Sequence, residues 1–113
     1  MADSYIDVTE QDFEEKVLSG SQMVVVNFSA AWSSPCQILQ PEFEAISKEY
    51  QDRVTFARVD VDQNKELTTR WSVDGVPILV FFFKGQEINR IQGVVMRDKL
   101  RRQVEGTLLA TSS

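Results

Sequence analysis

Two side chains with chemical potential, Ser33 and Cys36, lie three positions apart at the predicted start of a helix. Backbone N–H groups at a helix N-terminus favour negative charge, so a cysteine at such a corner is often a reactive thiol. Here the corner residue is Ser33, and Cys36, the one cysteine among 113 residues, follows one turn later. Two cysteines could cycle as a dithiol, whereas a single cysteine can form a disulfide only with another molecule.

Each of these two residues has more than one interpretation. Ser33 as a nucleophile would need a neighbouring base, and the chain contains no histidine to supply one. We therefore favour a helix N-cap for Ser33, a role worth roughly 1 kcal/mol. For Cys36 we favour a small apolar residue on the buried stripe of the helix, and the alternative is a lone thiol that forms mixed disulfides.

Composition narrows the class of protein. A chain of 113 residues with a hydrophobic fraction of 42% predicts one domain over residues 1–113, with its core at about 6–108 and a frayed tail at 110–113. The net charge of −5 argues against nucleic acid as a partner. The longest apolar run, 76–83, is interrupted by Pro77, so no membrane span is expected. The first residues lack the basic and apolar regions of a signal peptide, and the chain has a single cysteine, which together favour the cytoplasm. We also expect a monomer.

Hydrophobic periodicity predicts alternating strands and helices around this corner. Strands are predicted at 5–8, 23–29, 54–61, 78–83 and 87–92, and helices at about 9–20, 34–50, 65–71 and 96–109. Pro41 lies inside the second helix and is expected to kink it. In the last helix we expect four basic side chains to face water: Arg97, Lys99, Arg101 and Arg102. The order of the elements predicts an α/β sandwich with a mixed sheet covered on both faces.

Four motifs, taken together, resemble the thioredoxin family. The run VNFSAAWSSPC at 26–36 strongly resembles the active-site segment of that family, usually written D-F-x-A-x-W-C-G-P-C. VDVDQN at 59–64 resembles its third-strand motif, and GVP at 75–77 resembles its cis-proline loop. FFKG at 82–85 and Gly93 resemble its hairpin and the loop after the fifth strand. The resemblance covers about residues 6–108 and implies a thioredoxin fold, with a central five-stranded mixed sheet and four helices.

The resemblance also implies a function. Members of the family reduce protein disulfides and maintain redox homeostasis: a first cysteine attacks the substrate and a second resolves the mixed disulfide. They carry no cofactor, and a thioredoxin reductase usually returns the electrons. The matched surface for a protein substrate would consist of Trp32, Pro35, Val76, Pro77, Gly93 and Val94. The acidic residues show no spacing with His or Cys that would predict a metal site.

The sequence departs from the family pattern at the residues that carry the chemistry. Ser33 stands at the position of the attacking cysteine, and Cys36 at that of the resolving cysteine. Asn27 replaces a buried aspartate that helps to move a proton, and it cannot ionise. These changes predict a degenerate active site with a disabled dithiol cycle. A native serine and an engineered Cys→Ser replacement at position 33 are both compatible with the sequence.

A second function from another class remains open. The chain could be a redox-inactive binding module that holds a partner protein or an extended peptide in the groove around Trp32, Pro77 and Gly93. Asn27 favours the binding module, and so does Ile78, which stands where the family often has threonine. The matched Trp32, Pro35, Cys36 and Pro77 favour the enzyme lineage.

Overall fold

The computed structural model describes residues 4–111. It contains five strands: β1 Ile6–Asp7, β2 Met23–Ser29, β3 Val54–Asp60, β4 Ile78–Phe83 and β5 Gln86–Gln92. Its helices are a π-helical turn at Glu14–Leu18, then α1 Ser34–Tyr50, α2 Lys65–Arg70 and α3 Arg97–Thr111. The strands form one sheet in the order β1-β3-β2-β4-β5, which confirms the predicted five-stranded α/β architecture. No helix within residues 4–111 is long and apolar enough to cross a membrane.

The sheet is mixed, as predicted. β3 lies between β1 and β2 and runs parallel to both, while β4 runs antiparallel to β2 and to β5. Asn27, on the central strand β2, is paired with Arg58 on one side and with Leu79 on the other. The hairpin between β4 and β5 turns at Lys84 and Gly85, which have φ angles of 51° and 81°. Such left-handed angles are easiest for glycine.

Side chains of the strands alternate between two hydrophobic layers because successive residues of a strand point to opposite faces. Val24, Val26 and Phe28 pack with the π-helical turn and α2, whereas Val25 packs with α1 and α3. Phe81 and Phe82, neighbours on β4, likewise lie in opposite layers. Trp71 has a packing role, since its ring meets Phe82 edge-on at 4.8 Å between centroids.

Helix α1 has the predicted bounds, residues 34–50. Ser33 caps it, and a proline occupies its first turn. Proline has no backbone N–H, but an N–H in the first turn would have no acceptor within the helix, so no hydrogen bond is lost. Its buried stripe consists of Cys36, Leu39, Phe43, Ile46, Ser47 and Tyr50. The predicted kink does not interrupt the helix, which continues through Pro41 on its exposed side.

Some predicted elements differ from the structure. In place of a helix over 9–20, Thr9 and Asp12 form a turn in which the Thr9 N–H donates to the Asp12 carboxylate at 2.7 Å. The following π-helical turn spans only Glu14–Leu18. The tail also differs, because α3 extends to Thr111 and includes Ala110; residues 112–113 lie outside the described residues. Arg101, expected to face water, is half-buried in ion pairs with Glu49 and Asp98.

Candidate functional site

The corner between β2 and α1 is closed by hydrogen bonds from Ser33. Its backbone N–H donates to the carbonyl of Ala30 at 3.2 Å, which makes the turn. Its side-chain oxygen accepts the backbone N–H of Cys36 at 3.3 Å, and its φ and ψ of −90° and 120° are extended. Extended geometry with a bond to the third following N–H is that of a helix N-cap. Ser33 therefore has the capping role, and its side chain is only 3% exposed.

Cys36 lies directly behind this cap. Its thiol is free, and the residue is 5% exposed at the start of the stripe that continues with Leu39 and Phe43. The apolar interpretation of Cys36 agrees with this burial. Because the hydroxyl of Ser33 meets a backbone N–H and the chain has no histidine, the pair does not form a nucleophile and base.

Asn27 lies on the central strand with no exposed surface. Neither its amide nitrogen nor its carbonyl oxygen has a hydrogen-bond partner within residues 4–111. Its neighbour Arg58 instead donates from Nε to the carboxylate of Asp7 at 2.9 Å. Burial lowers the pKa of Arg58, but the hydrogen bond and charge of Asp7 outweigh burial and leave that pKa raised. The position that holds a proton-accepting aspartate in the family motif is thus neutral and isolated in this chain.

The predicted substrate-binding residues divide into exposed and buried members. Trp32 is 70% exposed, Val94 is 39% exposed, and Pro35 is exposed at the helix start. Pro77 is buried, and its carbonyl accepts the N–H of Gly93 at 2.9 Å. Val76 is half-buried, and the peptide bond that joins it to Pro77 is cis. A hydrogen bond therefore joins the loop before β4 to the loop after β5, with Val94 exposed beside it.

Asp62 holds the exposed tryptophan in place, which the sequence did not reveal. The indole Nε1–H of Trp32 donates to the Asp62 carboxylate at 2.8 Å, across 30 positions of sequence. Ile38 and Met96 are further exposed apolar side chains that sequence reasoning missed, at 54% and 57% exposure. Ile38 could have been found, since it lies off the buried stripe of α1.

A crevice also opens beside Cys36, and the sequence did not indicate it. Its volume is about 500 Å³, and it lies where β1, β2 and β3 reach their carboxyl ends. Its lining consists of Asp7, Val8, Thr9, Ser29, Ala30, Ala31, Cys36, Gln37, Gln40, Arg58, Asp60, Gln63 and Asn64. No group of three or more His, Cys, Asp or Glu residues able to hold a metal ion occurs in the described part of the chain.

Comparison with known proteins assigns this arrangement to a family. The thioredoxin family model matches residues 4–106. Thioredoxin X of the chloroplast of Arabidopsis thaliana is 34% identical over 108 residues, which cover 94% of this chain and 59% of that protein. Thioredoxin of Buchnera aphidicola is 33% identical over 96 residues, which cover 85% of this chain and 89% of that one.

Two further matches are an enzyme fusion and a solved structure. A bifunctional thioredoxin reductase/thioredoxin of Mycobacterium leprae is 35% identical over 99 residues, 88% of this chain but 22% of that protein. The crystal structure of Malassezia sympodialis thioredoxin, described as a pan-allergen, has a TM-score of 0.84 and 31% identity. That match covers 93% of this chain and 91% of the fungal one. This chain thus spans less than two thirds of the Arabidopsis and Mycobacterium proteins.

Proposed function

The chain belongs to the thioredoxin family, and on that premise we propose that it is a thioredoxin-like protein of the protein-disulfide reductase lineage. In this proposal it takes part in thiol–disulfide exchange and redox homeostasis in the cytoplasm as a monomer. It is disabled as a dithiol enzyme, because Ser33 stands where the attacking cysteine would be. A protein disulfide is its substrate class, and a thioredoxin reductase is the partner that would return electrons to a restored dithiol.

The hydrogen bond between Ser33 and Cys36 is the observation that carries this proposal. The side-chain oxygen of Ser33 accepts the N–H of Cys36 at 3.3 Å, so a hydroxyl occupies the mouth of the helix. A thiolate there could attack a disulfide, but an unassisted hydroxyl stays protonated near neutral pH. Cys36 alone can form a mixed disulfide but has no second thiol to resolve it.

Asn27 indicates that a second catalytic group, the proton acceptor for the resolving thiol, is also missing from this site. A buried carboxylate under the helix could accept the proton of the resolving thiol, whereas a carboxamide cannot. Restoring the sulfur at position 33 should therefore restore turnover only in part, and adding Asn27→Asp should raise it further. We expect an increase of about a hundredfold, the low end of what general acid–base catalysis contributes.

The test is an insulin-type disulfide reduction assay on the parent chain and on Ser33→Cys, with a thioredoxin reductase and its reductant. We expect turnover only in the substituted chain. Ser34→Cys is a matched control, because it adds a thiol one position from the cap, on an exposed residue. Ser33→Cys combined with Cys36→Ser is a second control, which keeps the attacking thiol but cannot resolve. Turnover in the parent chain would overturn the mechanism.

One specific observation favours a redox-inactive binding module as the second candidate. Trp32 presents its ring to solvent while Asp62 fixes its N–H, and Val94 adds exposed apolar surface. A fixed aromatic ring loses little conformational entropy on binding, which suits a partner or an extended peptide in the groove around Trp32, Pro77 and Gly93. No turnover in either the parent or Ser33→Cys, with peptide binding that Trp32→Ala abolishes, would favour this candidate.

A further inference from the structure

The crevice at the carboxyl ends of the parallel strands is separate from the groove of the proposed function. None of the residues assigned to the groove lines it, and Cys36 is the one residue of the proposed site that does. Its volume of about 500 Å³ falls within the range of pockets that hold small molecules, roughly 300–1,000 Å³. Cys36 therefore belongs both to the proposed active site and to this crevice. The groove has a proposed occupant, and the crevice has none so far.

Chain topology explains why a crevice forms at this place. After β2 the chain enters α1, whose Leu39 and Phe43 pack on one face of the sheet. After β3 the chain enters α2, whose Leu67 packs on the opposite face. Because two adjacent parallel strands send their connections to opposite faces, the chain separates at their carboxyl ends. Open α/β sheets commonly bind ligands at such a switch point.

The charges on the lining favour a cation. Asp7 and Asp60 contribute two carboxylates, and Arg58 is the one cationic residue of the lining. The Arg58 guanidinium is already bound to Asp7 at 2.9 Å. The carboxylate of Asp60 accepts one backbone N–H, that of Asp62, through Oδ1 at 2.9 Å. Within the described residues, its Oδ2 therefore remains available as an acceptor for a positively charged donor.

The buried carboxamide of Asn27 lies near the crevice, although Asn27 is not one of its lining residues. Ser29, two positions along β2, and Arg58, directly across in register, both line the crevice, so Asn27 lies on the same face of the sheet. Its side chain has no exposed surface and no partner within residues 4–111. Buried polar groups in proteins are nearly always hydrogen-bonded, so an orphan beside a polar crevice needs explanation.

We propose that this crevice binds a small polar molecule that carries a positively charged amino group. The ammonium group pairs with the carboxylate of Asp60, and neutral hydrogen-bonding groups of the ligand meet the amides of Gln37 and Gln63. The absence of a metal-ligating cluster among residues 4–111 favours an organic cation over a metal ion. The site needs no redox turnover, so it stands whether or not the proposed function does.

Cys36 provides a covalent reporter, since it is the only cysteine of the chain and lines the crevice. The probes are three small disulfides of matched length: bis(2-aminoethyl) disulfide, bis(2-hydroxyethyl) disulfide and 3,3′-dithiodipropionate. In each reaction the deprotonated sulfur of Cys36 attacks one probe sulfur, the probe S–S bond breaks, and one thiol leaves. Mass spectrometry follows the rate of adduct formation. We expect the cationic probe to react about tenfold faster than the neutral one, and the anionic probe to react slowest.

Asp60→Asn is the test variant, because its amide oxygen can still accept the N–H of Asp62 while the charge is lost. Asp52→Asn is the matched control, with the same change in net charge on an exposed residue outside the lining. We expect the preference for the cationic probe to disappear in Asp60→Asn and to persist in Asp52→Asn. Equal rates for the three probes, equal losses in both aspartate variants, or no reaction of Cys36 with any probe would each overturn the proposal.

Discussion

Asn27 and Arg58 are direct neighbours in the parallel pairing of β2 with β3, yet their side chains do not bind one another. Arg58 reaches outward to Asp7 on β1, at 2.9 Å, and leaves the carboxamide of Asn27 without a partner within residues 4–111. A buried polar group without a hydrogen bond costs stability. Position 27, at the centre of the sheet, is therefore unfavourable both for a charged group and for a polar atom that has no hydrogen bond.

Asn27→Asp should lower stability at neutral pH. Burial disfavours the charged carboxylate, so the introduced carboxyl group has a higher pKa in the folded than in the unfolded chain, although the charge of Arg58 limits the shift. The unfolded state then loses its proton first, and stability falls as pH rises above about 4. We expect a loss of about 2 kcal/mol near pH 7 and almost none below pH 4. Urea midpoints at both pH values measure this; an equal or higher midpoint for the variant at pH 7 would contradict it.

Asn27→Val should have the opposite effect. Valine suits a buried strand and removes both unpaired polar atoms, so the free energy of unfolding should rise by about 1 kcal/mol. The same urea titration measures it, and Ser29→Val, at the less buried end of β2, is the control. A valine variant that is less stable than the parent would contradict this prediction.

The sequence predicts the elements whose signals are local. β2 and α1 have the predicted bounds because a β-branched run, a serine cap and an apolar stripe coincide there. The first helix was predicted too long, since the packing of Phe13 and Val17 needs only a five-residue π-helical turn. Asp62 and Arg101 could not be assigned because their partners lie 30 and 52 positions away. Such pairs are set by tertiary packing, which periodicity does not encode.

Ser33→Ala should destabilise the protein by about 1 kcal/mol, the usual cost of removing a serine N-cap. The backbone N–H of Cys36 would lose its acceptor at the start of the longest helix. Ser34→Ala is the matched control, because Ser34 is exposed and makes no side-chain hydrogen bond within residues 4–111. Thermal or urea unfolding of both variants measures the difference. Equal stability of the two would exclude the capping role.

Asp62→Ala should weaken substrate binding in the groove around Trp32 without changing the chemistry at position 33. In the Ser33→Cys background, loss of the 2.8 Å hydrogen bond leaves the exposed indole free to rotate, so binding of a protein disulfide costs more entropy. We expect KM to rise roughly threefold with kcat retained, since the contact is solvent-exposed. Asp52→Ala, an exposed residue at another turn, matches the change in net charge. The same rise in KM in Asp52→Ala would show that the change in net charge alone causes the effect.

The ion pair between Glu49 and Arg101 should make the packing of α1 against α3 dependent on pH. Arg101 donates from Nε and Nη2 to the two carboxylate oxygens of Glu49, at 2.7 and 3.0 Å. This hydrogen bond lowers the pKa of Glu49 below its ordinary value of 4.5. The folded chain therefore binds this proton less tightly than the unfolded chain. The stabilisation is present above about pH 4.5 and is lost as pH falls through the folded-state value.

Glu49→Gln should remove that dependence. The variant should be slightly less stable than the parent near pH 7, and the two urea midpoints should converge at low pH, once Glu49 is protonated in both the folded and the unfolded chain. Glu15→Gln, an exposed residue without an ion pair in the described part of the chain, is the matched control. It should change neither the midpoint at pH 7 nor its fall towards low pH. A difference between parent and Glu49→Gln that stays constant with pH would show that the pair contributes through packing and not through charge.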